Sequence, residues 1–344
     1  MSRRALIVFA LALLLAIAAA ILLPRWPAAI KAWLLVWQLA MTPAAGAILL
    51  GLLGVLTPGP WHDELAGPAR RLLLAFPLLA LGLLPVLAGL DALYAWTDPV
   101  GRTADLVGKR GAWQTGPAFA LRQIICLAVL SGLSLALAQG WLQDRARAGG
   151  AAIVAVLALT GLALDVSMSL DPRFNSTIFG LYVMAGQGAG AMAAVLLLRL
   201  AFDPAPLRSA RPVWLLFGAS ALWGYFAFMQ YLVVWSGDLP HLAGWFLARN
   251  QGGWLAVFGL VCLLFASPFA LLLAPLRHRR GAVVAVAASV LAASLLESVW
   301  RIAPDLDLTR NGYAVAAMLI LAGIGLAMAA GRRPILPGKE DVRA

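Results

Sequence analysis

The chain is organised around one polar stretch between two apolar segments, Asp165-Val-Ser-Met-Ser-Leu-Asp171-Pro172-Arg-Phe-Asn-Ser176-Thr177-Ile-Phe-Gly180. It carries two carboxylates, an arginine and a run of hydroxyl and amide side chains. Polar and ionisable groups at membrane depth are costly, so they face a protein interior or a water-filled cavity. We therefore predict that this stretch lies at the edge of a functional site.

The composition is that of a membrane protein. The chain has 344 residues, of which 62% are hydrophobic and only 12% charged, and its mean hydropathy is +0.89. Soluble domains carry about 25% charged residues. Continuous apolar runs of roughly 20 residues recur, as transmembrane helices require, and they lack the two-residue alternation of a β-barrel. We predict an all-α polytopic membrane protein with about ten transmembrane helices, at residues 5–23, 32–56, 70–90, 113–139, 150–166, 176–201, 212–235, 252–275, 281–299 and 312–330.

The predicted spans indicate one membrane domain, residues 1–335, that contains two similar halves. A Trp–Asp–Pro pattern closes the third and seventh spans, and the fifth and ninth end on Asp165 and Glu297. Duplication of a four-helix unit would give this pattern. We therefore predict two four-helix bundles, at 32–166 and 176–299, plus flanking helices. Trp96, at one of these span ends, is predicted to anchor the membrane interface.

The basic residues indicate the orientation of the chain. Of the 26 lysines and arginines, 16 lie on the side of the N-terminus and 9 on the other side. The positive-inside rule places the richer side in the cytoplasm, so both termini and the short tail at 336–344 are predicted to be cytoplasmic. The same rule explains the net charge of +11 without a nucleic-acid partner. The first span has the flanks of a signal peptide, but the spans that follow it favour an uncleaved helix.

The cysteines and histidines exclude several kinds of redox site. Cys126 and Cys262 lie inside apolar segments, so we expect neither a structural disulfide nor an iron–sulfur cluster, which needs about four ligands. His62, His241 and His278 lie in loops or at segment ends, whereas a transmembrane haem needs mid-helix histidines on facing spans. The sequence has no phosphate-binding loop, metal-ligand spacing or nucleophile–histidine arrangement. We expect no catalytic residue, no metal and no cofactor bound by the chain itself.

Several polar residues fall in or beside the predicted spans and mark a candidate pocket. Arg122 lies in the outer third of its span, so it either snorkels to the interface or pairs with Asp165 or Glu297. Glu297 and Arg301 are four residues apart, the spacing of a helical salt bridge. Such groups suit a hydrophobic ligand with a polar head, or a proton path. The candidate residues are Asp165, Ser169, Asp171, Arg122, Gln230, Asp238 and Glu297.

Two segments resemble the signature stretches of a family of membrane subunits. The family is ActF, a subunit of alternative complex III (a quinol:cytochrome c/electron-acceptor oxidoreductase), which is related to the NrfD-like polysulfide reductase membrane subunits. The two segments are Leu164-Asp165-Val-Ser-Met168-Ser169-Leu-Asp171-Pro172-Arg-Phe-Asn-Ser176-Thr177-Ile178-Phe179-Gly180 and Gln230-Tyr231-Leu-Val-Val-Trp235-Ser236-Gly237-Asp238-Leu239-Pro240. Shorter agreement is found in Leu56-Thr57-Pro-Gly-Pro-Trp61, Leu93-Tyr94-Ala-Trp96, Gly252-Gly253-Trp254 and Ser267-Pro268-Phe269. The likeness runs in order from about the second span to about residue 303.

The resemblance implies a place in a respiratory complex of a bacterial inner membrane. The implied partners are a periplasmic iron–sulfur protein, haem c subunits and a paralogous membrane subunit, with quinone or quinol as ligand and membrane lipid around the bundle. Quinol oxidation releases protons as well as electrons, so outer carboxylates would accept protons while electrons pass to a neighbouring cluster. The leading hypothesis is a quinone pocket or proton path near Asp165, Asp171 and Arg122.

Two alternatives remain open. This chain has Val166 where the family commonly has tryptophan, Arg173 and Phe174 where it commonly has histidine and an aromatic residue, and Asp238 where it commonly has asparagine. These departures favour a non-catalytic scaffold subunit without a quinone site of its own. The second alternative is a secondary transporter, which would need helices broken at the membrane midplane.

Overall fold

The computed structural model describes residues 3–97, 111, 113–203, 205–238, 240–272 and 274–331. These residues are predominantly helical and include no β-strand, which confirms the predicted all-α fold class. The predicted tail, 336–344, and the connection at 98–110 lie outside the described residues.

The described chain is folded into long helices joined by short turns. In chain order the α-helices are α1 (Arg3–Leu22), α2 (Pro27–Leu56), α3 (Pro60–Ala80), α4 (Leu83–Ala88), α5 (Leu90–Leu93), α6 (Gly116–Ala138), α7 (Arg145–Leu162), α8 (Phe179–Phe202), α9 (Arg211–Ser236), α10 (Pro240–Ala248), α11 (Trp254–Ala266), α12 (Ala274–Arg277), α13 (Arg280–Leu306) and α14 (Arg310–Gly331). Short 3₁₀ segments lie at Leu23–Arg25, Ala95–Thr97, Met168–Leu170 and Ser267–Leu272, and a π-helix occupies Ala163–Ser167.

Nine helical stretches within the described residues are long and apolar enough to cross a membrane. They lie at Val8–Arg25, Pro27–Leu56, Pro60–Ala88, Gly116–Ala138, Arg145–Leu170, Phe179–Phe202, Arg211–Ser236, Trp254–Leu272 and Arg280–Leu306. A multi-pass membrane protein is therefore indicated. The tenth predicted span coincides with α14, whose side chains are described only as far as residue 320, so the count of ten stays a prediction.

Helix α3 begins earlier than the sequence predicts, at Pro60 and not at residue 70. Proline at the first helical position and Asp63 in the first turn are both favourable at a helix N-terminus. Trp61 and Leu65 are buried, whereas the polar residues His62 and Asp63 lie on the more exposed side of these turns. A hydropathy average therefore misses them, because they are amphipathic and not uniformly apolar.

Helix α13 also extends past its predicted end at residue 299. It continues through Pro304 and stops at Leu306, and the next residue, Asp307, has a positive φ of 45°. The extension places Asp305 on a helix that packs inside the bundle. Between α9 and α11, where the sequence predicts only a loop, the chain forms the short helix α10.

Buried apolar side chains of the described residues form two clusters. The first is made mainly by α2, α3, α6 and α7, and the second mainly by α8, α9, α11 and α13. Helices α2 and α8 are the most buried spans and pack against each other. Gly46 allows this approach, because a Cβ there would lie 1.9 Å from the backbone oxygen of Gln187 on α8. Helix α13 contacts both α2 and α8, so the two clusters meet along these three helices.

Candidate functional site

A π-helix turn follows α7 and presents two polar side chains to different neighbours. It spans Ala163–Ser167, and both Asp165 and Ser167 within it are buried. Residues two apart on a helix do not share a face, so Asp165 contacts α6 whereas Ser167 contacts α13. Single π-turns in helices are frequent at functional sites.

Asp165 is held in a bidentate ion pair with Arg122. Arg122 donates from Nε to Asp165 Oδ2 at 2.7 Å and from Nη2 to Oδ1 at 3.1 Å. Gln123 adds a bond of 2.6 Å from Nε2 to Oδ2. The remaining Nη1 of Arg122 donates to the Trp113 carbonyl at 2.8 Å, and the guanidinium carbon lies 4.0 Å from the Trp113 ring centroid. The sequence allows Arg122 either to snorkel to the interface or to pair with a carboxylate. The structure shows that it pairs with Asp165.

A second ion pair lies on α13 and reaches the same π-turn. Arg301 donates from Nε to Glu297 Oε1 at 3.0 Å, and these side chains are only 2% and 3% exposed. Arg301 also donates from Nη1 to Ser167 Oγ at 2.8 Å and from Nη2 to Ser298 Oγ at 3.3 Å. The salt bridge predicted from the four-residue spacing is confirmed. It does more than neutralise two charges, because it ties α13 to the π-turn.

Helix α2 adds amide and hydroxyl groups to these pairs. Gln38 donates from Nε2 to Ser167 Oγ at 3.3 Å, and the hydroxyls of Thr42 and Ser298 are 3.2 Å apart. We call the whole set the buried polar network; its members are Gln38, Thr42, Arg122, Gln123, Asp165, Ser167, Glu297, Ser298 and Arg301. Hydroxyls both donate and accept hydrogen bonds, and carboxylates accept them. The apolar bundle thus encloses groups that are able to hold or pass a proton.

Ser169 and two aromatic residues hold the π-turn in position. The Ser169 hydroxyl donates to the backbone carbonyl of Asp165, and Trp96 Nε1 donates to Ser169 Oγ at 3.3 Å. The Tyr94 hydroxyl donates to the carbonyl of Val166 at 3.1 Å. Trp96 is only 5% exposed, so the prediction that it anchors the membrane interface is wrong. Its indole nitrogen has an acceptor inside the protein, and its ring packs against Tyr94.

The other predicted site residues lie outside the hydrogen bonds of the network. Asp171 is half-buried and accepts from the backbone nitrogen of Arg173 at 2.9 Å. Asp238 is exposed and has a positive φ of 44°. Gln230 is buried, accepts from the Ser176 hydroxyl at 2.7 Å and lines two cavities of about 560 and 550 Å³. Three of the seven predicted residues, Arg122, Asp165 and Ser169, therefore lie at the π-turn. Glu297 is linked to the turn through Arg301, and the other three residues are not part of this arrangement.

Sequence reasoning missed a third buried ion pair, between Arg249 and Asp305. Arg249 follows α10 and is only 1% exposed; it donates from Nη2 to Asp305 Oδ2 at 2.6 Å and to the Arg301 carbonyl at 2.5 Å. Burial lowers the pKa of Arg249 from its ordinary value, and the Asp305 carboxylate opposes that shift. The guanidinium carbon lies 3.7 Å from the ring centroid of Trp245. The available signal was that Trp245 precedes Arg249 by one helical turn, a spacing that lets the cation stack on the indole.

Sequence reasoning also missed a buried ion pair that joins the start of α3 to the end of α8. Glu64 Oε1 is 3.3 Å from Arg199 Nη2, near the end of α8. Arg199 also pairs with Asp203 at 3.0 Å, and the backbone nitrogen of Arg208 donates to Glu64 Oε1 at 3.2 Å. These bonds hold the connection after α8 against the start of α3. We therefore attribute to them a role in helix packing and not in chemistry.

The buried polar network remains the best candidate for chemistry. It combines two carboxylates, two guanidinium groups and several hydroxyls where α2, α6, α13 and the π-turn meet. Among the described residues no group of three or more His, Cys, Asp or Glu side chains is placed to hold a metal ion. Comparison with known proteins assigns no family, since no protein-family model matches the chain and no curated protein matches its sequence.

Proposed function

We propose that the chain is an integral membrane subunit of a respiratory quinol-oxidising electron-transfer complex, in which the buried polar network forms a proton path. The observation that carries the proposal is the network itself, with two ion pairs and several hydroxyls inside an apolar bundle. Charged side chains in such surroundings are costly, and where they occur they mark proton, ion or substrate pathways. The resemblance of the Asp165 stretch to the ActF family supports the same assignment.

In the proposed complex this chain handles protons and its partners handle electrons. Asp165 and Glu297 are the groups that accept protons, and hydrogen bonds through Arg301 and Ser167 join Glu297 to the π-turn that carries Asp165. Electrons pass to a periplasmic iron–sulfur protein and then to haem c subunits, beside a paralogous membrane subunit. Quinol is the substrate of the complex, and this chain binds no redox centre of its own.

The proposal includes a topology. The chain crosses a bacterial inner membrane about ten times, with both termini cytoplasmic and the π-turn near the periplasmic face. Two four-helix bundles, α2–α3–α6–α7 and α8–α9–α11–α13, form the core, with flanking helices beside them. The excess of basic residues on the N-terminal side and the two hydrophobic clusters support this arrangement.

A scaffold subunit without a quinone site is the second candidate, and one observation favours it. The Arg122 guanidinium and the Asp165 carboxylate satisfy each other in a bidentate pair. The two cavities that Gln230 lines are not bordered by either member of this pair. In this alternative, the ion pair would only fix α6 to the π-turn.

We expect Asp165→Asn to lower quinol oxidation by the assembled complex about 10²-fold, the range of a lost proton-transfer group. The amide keeps the shape of the carboxylate but does not take up a proton. Asp91→Asn is the matched control. Asp91 is an exposed carboxylate on α5, at the same end of the bundle as the π-turn. Steady-state oxidation of decylubiquinol by complexes of equal subunit content measures both. Normal turnover of Asp165→Asn would refute the proton path and support the scaffold.

Membership of a complex is tested by purification from native membranes. An affinity-tagged chain is expected to bring with it an iron–sulfur protein, haem c subunits and a second multi-pass subunit, identified by mass spectrometry and by the absorbance of haem c. Recovery of the chain without haem or an iron–sulfur protein would contradict the proposed function.

A further inference from the structure

A cavity of about 430 Å³ lies at the end of the bundle opposite the π-turn. It is lined by the end of α2, the first half of α3 and the connection between α6 and α7. Helix α6 begins near the Arg122–Asp165 pair and ends at this cavity, so the length of a membrane span separates the two places. The excess of basic residues assigns this end of the bundle to the cytoplasm. We call it the basic cavity.

The lining of the basic cavity is rich in hydrogen-bond donors and includes no carboxylate. The donors belong to the side chains of His62, Arg70, Gln139 and Gln143. Acidic residues do occur on adjacent turns, at Asp63 and Asp144, but neither of them lines the cavity. A cation and several N–H groups without a neighbouring carboxylate favour an anionic ligand that presents acceptor oxygens.

Arg70 is positioned to bind such an anion. Its Nε donates to the carbonyl of Ala138, at the end of α6, over 2.8 Å, and this bond holds the guanidinium beside the cavity. Its two terminal nitrogens have neither a hydrogen bond nor a carboxylate partner in the part of the chain that the structure describes. A guanidinium with free terminal nitrogens matches the geometry of a phosphate and binds two of its oxygens at once. The chemistry of the cavity therefore indicates a phosphate group.

The level of the basic cavity in the membrane indicates that the phosphate belongs to a lipid. Trp141 lies between two lining residues, Gly140 and Leu142, and is 69% exposed. An exposed tryptophan at the end of a span is typical of the depth of lipid headgroups. The rest of the wall is apolar and includes Leu50, Val55, Leu73 and Leu137, which suits the start of an acyl chain. Basic pockets between transmembrane helices on the cytoplasmic side bind the headgroups of anionic lipids.

We infer that the basic cavity binds one anionic phospholipid, whose headgroup phosphate is held by Arg70 and whose first acyl carbons contact the apolar wall. The bound lipid would connect α3 to the turn between α6 and α7. The inference does not rest on the proposed electron-transfer function, since it needs only that the chain lies in a membrane.

The first test is titration of the purified chain with phosphatidylglycerol in a non-ionic detergent, followed by native mass spectrometry. Arg70→Gln removes the charge, and we expect it to raise the dissociation constant of the bound lipid about tenfold. Arg147→Gln is the matched control, because Arg147 is an exposed arginine at the start of α7, at the same end of the bundle but outside the cavity lining. Equal losses in the two variants would show attraction to the surface charge in general and overturn the inference.

A second variant tests the cavity without changing a charge. Gly67 lines it, and a Cβ there meets nothing within 4 Å, so Gly67→Leu adds a side chain without a backbone clash. We expect about tenfold weaker binding of phosphatidylglycerol. Gly150→Leu is the control: a Cβ at Gly150 also meets nothing within 4 Å, and this residue of α7 lies outside the lining. Binding by Gly67→Leu that equals binding by Gly150→Leu would contradict the inference.

The identity of the ligand is tested with two further probes. Phosphatidylcholine has the same phosphate and tails but no net charge, and we expect it to bind at least tenfold more weakly than phosphatidylglycerol. Equal binding of the two lipids would mean that the cavity accepts acyl chains alone. Glycerol 3-phosphate should not displace the lipid; if it competes at the same concentration, the ligand is a soluble phosphate and the lipid assignment is wrong. Lipid binding by a chain that purifies without redox partners would refute the proposed function and leave this site standing.

Discussion

Glu297→Ala is expected to reduce the free energy of unfolding by about 3–5 kcal/mol, the cost of removing one partner of a buried ion pair. In the native protein the Arg301 guanidinium is 2% exposed and lies 3.0 Å from Glu297 Oε1. Without the carboxylate, its positive charge stays buried. Ser167 and Ser298 still accept its hydrogen bonds, but neutral hydroxyls do not balance a charge. Unfolding in mixed micelles titrated with SDS, followed by far-UV circular dichroism, measures the loss.

The chain offers a matched control for this variant in a second pair with the same four-residue spacing. Asp203 pairs with Arg199 on α8, but its side chain is 49% exposed, and Arg199 retains Glu64 as a partner. Asp203→Ala should therefore cost less than about 1 kcal/mol. The double substitution Glu297→Leu with Arg301→Met removes both buried charges and should recover most of the loss. Equal losses in the Glu297 and Asp203 single variants would contradict the role that we give to burial.

The membrane spans could be predicted because their cause is local. In lipid each backbone polar group must bond within its own segment, so a long apolar run forms a helix whatever packs against it. Helix α8 therefore lies within a few residues of its predicted limits, at Phe179–Phe202 against 176–201. The Glu297–Arg301 pair is local too, since both residues lie on one helix face. Prediction fails at the start of α3 and the end of α13, where polar residues lower the hydropathy before the helix ends.

The long-range contacts could not be predicted, because they depend on which helices become neighbours. Arg249 and Asp305 are 56 residues apart, and each looks like an ordinary loop charge in the sequence. Trp96 has the residue type and position of an interface anchor, yet the surrounding helices bury it. The cavity of about 560 Å³ that Gln230 lines is formed by residues from several helices, so no single stretch of sequence marks it. The Asp165 stretch was found because its polarity conflicts with its apolar flanks, and that conflict is visible locally.

Gly46→Ala is expected to separate α2 from α8 and to cost about 3 kcal/mol, the upper part of the range for overpacking a core. A Cβ at this position would lie 1.9 Å from the backbone oxygen of Gln187, 2.4 Å from its carbonyl carbon and 2.8 Å from the Cβ of Ala191. Backbone atoms in a helix cannot rotate away as a side chain does, so a whole helix must move. Since α2 and α8 are the most buried spans, the shift would disturb both hydrophobic clusters.

The neighbouring helix supplies the control for Gly46→Ala. Gly188 on α8 follows Gln187, and a Cβ there meets nothing within 4 Å. Gly188→Ala should be neutral or stabilising by up to about 1 kcal/mol, because alanine favours the helix more than glycine does. The same SDS titration compares the two variants, and size-exclusion chromatography reports whether each stays monodisperse. If Gly46→Ala is as stable as Gly188→Ala, α2 and α8 do not approach closely at Gly46, and the helix packing that positions the buried polar network is different from the one described.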